Sequence, residues 1–328
     1  MTRVAVIFTG GTISMALDPA AGGNVPALDG AEIMARTPGL AGIAELVAID
    51  WGRLPGSHFS IATLIDLWAT IREAASDAST DGVVVVQGTD TIEESAFCWD
   101  LLHDGETPIV VTGSMRSSSE AGYDGPANLI AAVKAAASPG LLGEGVTVAM
   151  AGSIHAADDV AKRHATSLTA FQSPDLGPLA VLAEDRVVVG RRRAGRRHVA
   201  TATAVEPVHL ITSAAGVDGS LLDAAVGLGS RGIVVAAAGS GNTSAELLAA
   251  AERAMAQGIP VALVSRTGAG RAGTGYAFPG GGATWVRAGA LLAGALNGPK
   301  ARIALALGIG NGLDRDGLAA LLADPAEP

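Results

Sequence analysis

Apolar residues along the chain come in short unbroken runs that alternate with longer stretches repeating every three to four positions. The runs VAVIF (4–8), GVVVVQG (82–88), PIVVTGS (108–114) and VTVAMAG (146–152) carry no polar alternation, which marks strands buried on both faces of a parallel sheet. Between them, ATLIDLWATIREAAS (62–76), TIEESAFCWDLLH (91–103) and DGPANLIAAVKAAAS (124–138) read as crossover helices. This order predicts a doubly wound, Rossmann-like α/β domain. A second cycle runs through VHLITSA (208–214), SLLDAAVGL (220–228), GIVVAAAG (232–239), SAELLAAAERAMAQG (244–258) and IPVALVSR (259–266). The helical pattern PKARIALALGIG (299–310) closes it, after the glycine-rich GYAFPGGG (275–282). A length of 328 residues suits two domains. The expected division is a larger domain over 1–192, a linker over 193–207 and a smaller α/β domain over 208–328.

Composition narrows the partners. With 49% hydrophobic and 16% charged residues the chain is globular, and a net charge of −10 argues against binding nucleic acid or a membrane surface, which needs clustered cations. Arg191, Arg192, Arg193, Arg196 and Arg197 form one basic run after an alternating strand pattern, expected to be a solvated hairpin or linker. A single cysteine, Cys98, excludes an internal disulfide and a multi-cysteine metal site, and its apolar helical setting predicts a buried, inert thiol. Neither a signal peptide nor a spanning helix is legible, so a cytoplasmic protein is expected.

In doubly wound sheets ligands bind beyond the carboxyl ends of the strands. Three strand ends carry hydroxyls: Thr9-Gly10-Gly11-Thr12, Gly88-Thr89-Asp90-Thr91 and Gly113-Ser114-Met115-Arg116. The first matches neither G-x-G-x-x-G nor a P-loop, which leaves a structural turn or an exposed nucleophile. In the second, two hydroxyls flank a carboxylate. Asp90 or Thr91 could cap the following helix, and Asp90 could equally accept from a ligand's ammonium group. Lys162, in DDVAKRHATS, reads as a surface lysine or, if desolvated, as a base that takes a proton from a hydroxyl. His58, His103, His155 and His164 lie in no G-x-S-x-G or H-E-x-x-H setting, so neither a histidine base nor a zinc site is expected.

TGGTI (9–13), GTDT (88–91) followed by two glutamates, GSMR (113–116) with YDGPANL (123–129), DVAK (159–162) and GALNGPKARIALAL (294–307) stand in an order that resembles the bacterial-type L-asparaginase/glutaminase family across nearly the whole chain. The resemblance implies the two-domain asparaginase-like architecture and hydrolysis of the side-chain amide of L-asparagine to aspartate and ammonia. Thr12 would be the nucleophile on a closing loop. Thr89, Asp90 and Lys162 would form a second catalytic group, with Asp90 holding the substrate α-ammonium. Ser57 would bind the α-carboxylate, with His58 beside it where glutamine is common. Backbone N–H groups of Gly11, Thr12 and Thr89 would serve substrate binding and the oxyanion, Gly88 would also bind substrate, Ser114 would offer its carbonyl to the leaving amide, and Asn242 would match the first asparagine of a family motif. No cofactor or metal is implied; the partner is a small-molecule amide, and the assembly a homo-oligomer built as a dimer of dimers.

The chain also departs from the family. Loop 16–28 lacks the usual lid tyrosine, Gly282 stands where an acid is often found, Ser244 replaces a second asparagine and Gln87 a histidine. Tyr276 is the expected substitute for the missing phenol. These departures keep open another small amide or imide as substrate, or an amino-acid-binding regulatory protein.

Overall fold

The computed structural model describes residues 2–325. Contacts divide the chain between Arg196 and Arg197 into two compact units. The first begins with β1 (Arg3–Phe8), a 3-10 turn (Thr12–Ser14), the hairpin β2 (Met15–Asp18) and β3 (Gly23–Pro26), α1 (Gly30–Ala35) and β4 (Glu45–Asp50). It continues through α2 (Ile61–Ser76), β5 (Gly82–Val86), α3 (Ile92–Leu102), β6 (Ile109–Thr112), α4 (Gly125–Ala136) and β7 (Val146–Met150). Five short strands follow: β8 (Ser153–Ala156), β9 (Ala161–Lys162), β10 (Phe171–Gln172), β11 (Ala180–Ala183) and β12 (Arg186–Val189).

The main sheet has the order β12-β11-β8-β7-β6-β5-β1-β4. Its centre is parallel, as unbroken apolar strands require: every residue of β5 and β7 is buried, and so are nine residues of α3. From β1 the chain passes to β4 on one side, whereas from β5 it moves on to β6 and β7 on the other. The connections therefore part between β1 and β5, and this opens a crevice at their carboxyl ends. Thr12 follows one of these strands and Thr89 the other.

One expectation is extended and another changes. The sheet is mixed, because β8, β11 and β12 add antiparallel strands at one edge. Tight turns make this possible without crossovers: Ala151 and Gly152, with φ of 50° and 78°, adopt the left-handed conformation that suits a two-residue hairpin. The basic run is only partly solvated: the Arg192 side chain is exposed, whereas those of Arg193 and Arg197 are buried. The Arg193 side chain is buried and grips Asp100 with two hydrogen bonds of 2.9 and 2.8 Å while also meeting Asp158 at 2.9 Å. Arg196 lies 3.4 Å from the same Asp100, and Arg192 bonds buried Glu144 at 3.0 Å. A carboxylate inside α3 is costly without a counter-charge, and Arg193 and Arg196 are drawn inward to supply it.

The second unit holds β13 (Val208–Thr212), α5 (Ser220–Gly227), β14 (Gly232–Ala237), α6 (Ala245–Ala256), β15 (Val261–Ser265), α7 (Gly282–Ala288), β16 (Leu291–Leu292), α8 (Gly298–Gly310) and α9 (Arg315–Leu322). Its parallel sheet runs β13-β14-β15-β16 and buries Ile233, Val235, Leu263 and Trp285. Asp324 joins Arg197 and Arg271 at 3.1 and 2.5 Å. Among the described residues no helix is long and apolar enough to cross a membrane.

Candidate functional site

Neighbouring parallel strands place the ends of β1, β5 and β6 side by side. Gly10 and Gly11 leave β1 with φ of 97° and 91°, a left-handed path that L side chains rarely take. The reason is a close approach. A Cβ on Gly11 would collide with the backbone of Gly88, and one on Gly56 would lie 2.7 Å from the Gly88 carbonyl oxygen. Three loops thus meet backbone to backbone, with no side chain between them. Thr12, half-buried, opens the 3-10 turn directly after this junction.

Across the junction Thr89 is buried, and Lys162 Nζ reaches its hydroxyl at 2.9 Å and Asp90 Oδ1 at 3.2 Å. The lysine arrives from β9, whose pairing with β10 sets Lys162 opposite Phe171, while its own backbone N–H donates to Glu93 Oε2 at 3.2 Å. Its side chain is 16% exposed and that of Asp90 61%, so the ammonium is enclosed while the carboxylate faces outward. The capping alternative does not hold. Thr91 stands at the helix N-cap position but its hydroxyl donates to the Gly56 carbonyl at 2.8 Å, and Asp90 turns to Lys162.

Ser57 and His58 lie exposed on the 3-10 turn Gly56–His58, which Thr91 holds from below. Gln87, fully buried, donates from Nε2 to Thr91 Oγ1 at 3.1 Å and Ser95 Oγ at 2.7 Å. It therefore ties the Ser57 turn to the start of α3. Ser114 is buried, and its loop is pinned by Asp124, which accepts from Met115 N at 3.0 Å and Arg116 N at 3.0 Å, and by Asn128, which donates to the Gly113 carbonyl at 3.0 Å. Asn242 and Tyr276 belong to the second unit. There Asn242 forms an isolated bridge with Ala238 and keeps a buried, unpartnered Oδ1, and Tyr276 is half exposed with its ring 5.8 Å from Phe278.

Sequence reasoning missed Gln87 as a brace, Asp124 and Asn128 as loop anchors, and Tyr123. The Tyr123 hydroxyl donates to the Ile13 carbonyl, next to Thr12, at 2.9 Å. The i, i+4 pair Asp124 and Asn128 at a helix start was the available signal, since their Cβ atoms share a face. Nothing local signals Tyr123, whose partner lies 110 residues away.

The arrangement supplies a hydroxyl beside an enclosed lysine-hydroxyl pair, an outward carboxylate and several backbone donors, which is equipment for acyl transfer. Comparison with known proteins agrees in extent. Residues 3–194 match the family described as Asparaginase, N-terminal, and residues 207–322 the Glutaminase/Asparaginase C-terminal domain. A protein of Bacillus licheniformis named L-asparaginase is 32% identical over 93% of this chain and 94% of its own length. One of Deinococcus radiodurans, named probable L-asparaginase, is 35% identical over 96% and 95%. The crystal structure of a probable cytoplasmic L-asparaginase from Campylobacter jejuni superposes with a TM-score of 0.87 at 25% identity, covering 98% of this chain and 99% of that one. With both of its units matched in order and its strand-end loops gathered at one crevice, the chain belongs to the asparaginase family.

Proposed function

We propose that the chain is an amidohydrolase that converts L-asparagine to L-aspartate and ammonia. The carrying observation is the reach of Lys162 Nζ to Thr89 Oγ1, 2.9 Å, one backbone contact away from Thr12. Thr12 Oγ attacks the amide carbon and gives up its proton to the leaving nitrogen. Backbone N–H groups of Gly11, Thr12 and Thr89 meet the charge that develops on the carbonyl oxygen, an effect of about 3–4 kcal/mol per donor. Ammonia departs, accepted by the Ser114 carbonyl, and water then hydrolyses the threonyl ester with Thr89 and Lys162 moving its proton. Asp90 takes the α-ammonium and Ser57, with His58, the α-carboxylate, and Gly88 completes the substrate side. The assembly is a homo-oligomer, a dimer of dimers that works in the cytoplasm, and a native mass equal to that of the single chain would refute the assembly.

A different small amide or imide is the second reading, favoured by the flap over 16–28, which carries no tyrosine. Ammonia release from L-asparagine, D-asparagine, L-glutamine and simple amides separates the two. L-asparagine is expected to lead by at least about tenfold in kcat/KM, with Thr12→Ala and Thr89→Val lowering turnover by roughly 10³-fold. Activity on none of these amides would sink the hydrolase reading, and activity surviving both substitutions would sink the mechanism.

A further inference from the structure

Each carbonyl around the nucleophile turn has a taker. Gly11 O accepts from Ser14 N at 3.0 Å and Ser14 Oγ at 2.8 Å, and Thr12 O from Met15 N. Ser14 O accepts from Ala27 N and Leu28 N at 2.8 and 2.9 Å. Met15 O takes both Ser118 N and Ser118 Oγ at 3.1 and 2.8 Å. Ile13 O differs from these, since its hydrogen bond is the Tyr123 phenol at 2.9 Å, from the start of α4. A single side chain thus fixes the carbonyl that follows Thr12 in the chain.

The phenol is seated on purpose-made ground. A Cβ on Gly125 would collide with the Tyr123 ring, so the glycine vacates the space the ring fills, and the ring packs on the core cluster that includes Ile13, Val86 and Leu129. Burial, helped by the charge of Asp124, pushes the hydroxyl up to about 12, so it keeps its proton and donates. Asp124, the next residue, pins the Ser114 loop through Met115 N and Arg116 N. One turn of chain therefore fixes two sides of the crevice, the nucleophile turn through the phenol and the leaving-group loop through the carboxylate.

We propose that Tyr123 is a positioning residue for the hydrolytic reaction, holding the Thr12 turn in register with the Ser114 loop through the Ile13 carbonyl. The proposal rests on the reading of Thr12 as nucleophile. The phenol neither touches substrate nor exchanges a proton. Without it the Ile13 carbonyl must move to find another donor, and a displacement of about 1 Å at a reacting group costs on the order of 10²-fold in rate.

The test is Tyr123→Phe, which keeps the ring and removes the donor. With the amide that the wild type turns over best, kcat is expected to fall about 10- to 100-fold while KM stays within about threefold, because substrate contacts are intact. Amide hydrogen exchange in peptides covering residues 9–17 is expected to quicken at the same time. A kcat within about twofold of wild type, or exchange over 9–17 that is unchanged, overturns the proposal, and so does a loss confined to Tm. Gly125→Ala, which displaces the ring from the opposite side, should reproduce the kcat loss and the faster exchange; wild-type values for both count against it. Thr12→Ala run in parallel separates the two readings. Retained turnover there removes the nucleophile assignment, whereas inactive Thr12→Ala beside fully active Tyr123→Phe removes the Tyr123 proposal alone.

Discussion

At the scale of single residues, Lys162 carries a sharp expectation. Its partner Asp90 is 61% exposed, so the ion pair is screened and adds only about 0–1 kcal/mol to stability. Lys162→Met should therefore leave Tm nearly unchanged in a thermal melt, yet lower kcat by about 10²- to 10⁴-fold, the range expected for losing a positioned proton carrier. A Tm drop that accounts for the lost activity would count against it. The neighbourhood of Thr12, Thr89 and Asp90 was legible because each sits in a short motif at a strand end, where geometry does the gathering, whereas Lys162, in a polar stretch, stood out only through the family resemblance. Gln87 and Tyr123 were not. Gln87 looks like one more residue of an apolar run, and what defines it is a pair of hydroxyls, Thr91 and Ser95, on the following helix. The partner of Tyr123 is a backbone carbonyl, which carries no sequence identity at all.

At the scale of elements, the flap is the hairpin β2–β3, and it is held from outside. Ser118 Oγ donates to Met15 O at 2.8 Å, and Ser119 Oγ accepts from Leu17 N at 3.0 Å. Two side-chain hydrogen bonds of about 1 kcal/mol each set the scale, so the double variant Ser118→Ala/Ser119→Ala should open the hairpin up to about thirtyfold more often. Hydrogen exchange over 15–26 reads this directly, and unchanged rates there would show that pairing of β2 with β3 suffices. Strand and helix alternation was readable from unbroken apolar runs such as GVVVV, all buried in β5. The antiparallel edge was harder to read, because SIHA and AVLA are only four residues long, and their direction is set by turns at Ala151-Gly152 and Glu184 rather than by the strands.

At the scale of the whole molecule, buried ionisable groups tie stability to acidity. Burial, with Arg191 nearby, pushes His155 down to about 4 from an ordinary 6.5, and burial lowers His103 as well. The unfolded chain then binds the proton more tightly than the folded one. The contribution of His155 is complete above about pH 6.5 and is lost as pH falls toward about 4, a loss on the order of 3 kcal/mol. Melts from about pH 7 to about 5 should show a falling Tm that His155→Gln flattens; parallel curves for the two proteins would exclude this origin. The two-unit plan was legible from the repeated alternation of runs. The inward turn of Arg193 was not, since a basic run reads as solvent-facing until buried Asp100 is placed against it. The meeting of Gly11, Gly56 and Gly88 has an evolutionary consequence. Where three main chains touch there is no side chain to exchange, so point mutation has no dial at the heart of this crevice. On the proposed reading, descendants that take up a bulkier amide must acquire the change at its rim, in the hairpin β2–β3 or at Ser57 and His58, and the Thr12 hydroxyl will be the last thing among them to drift.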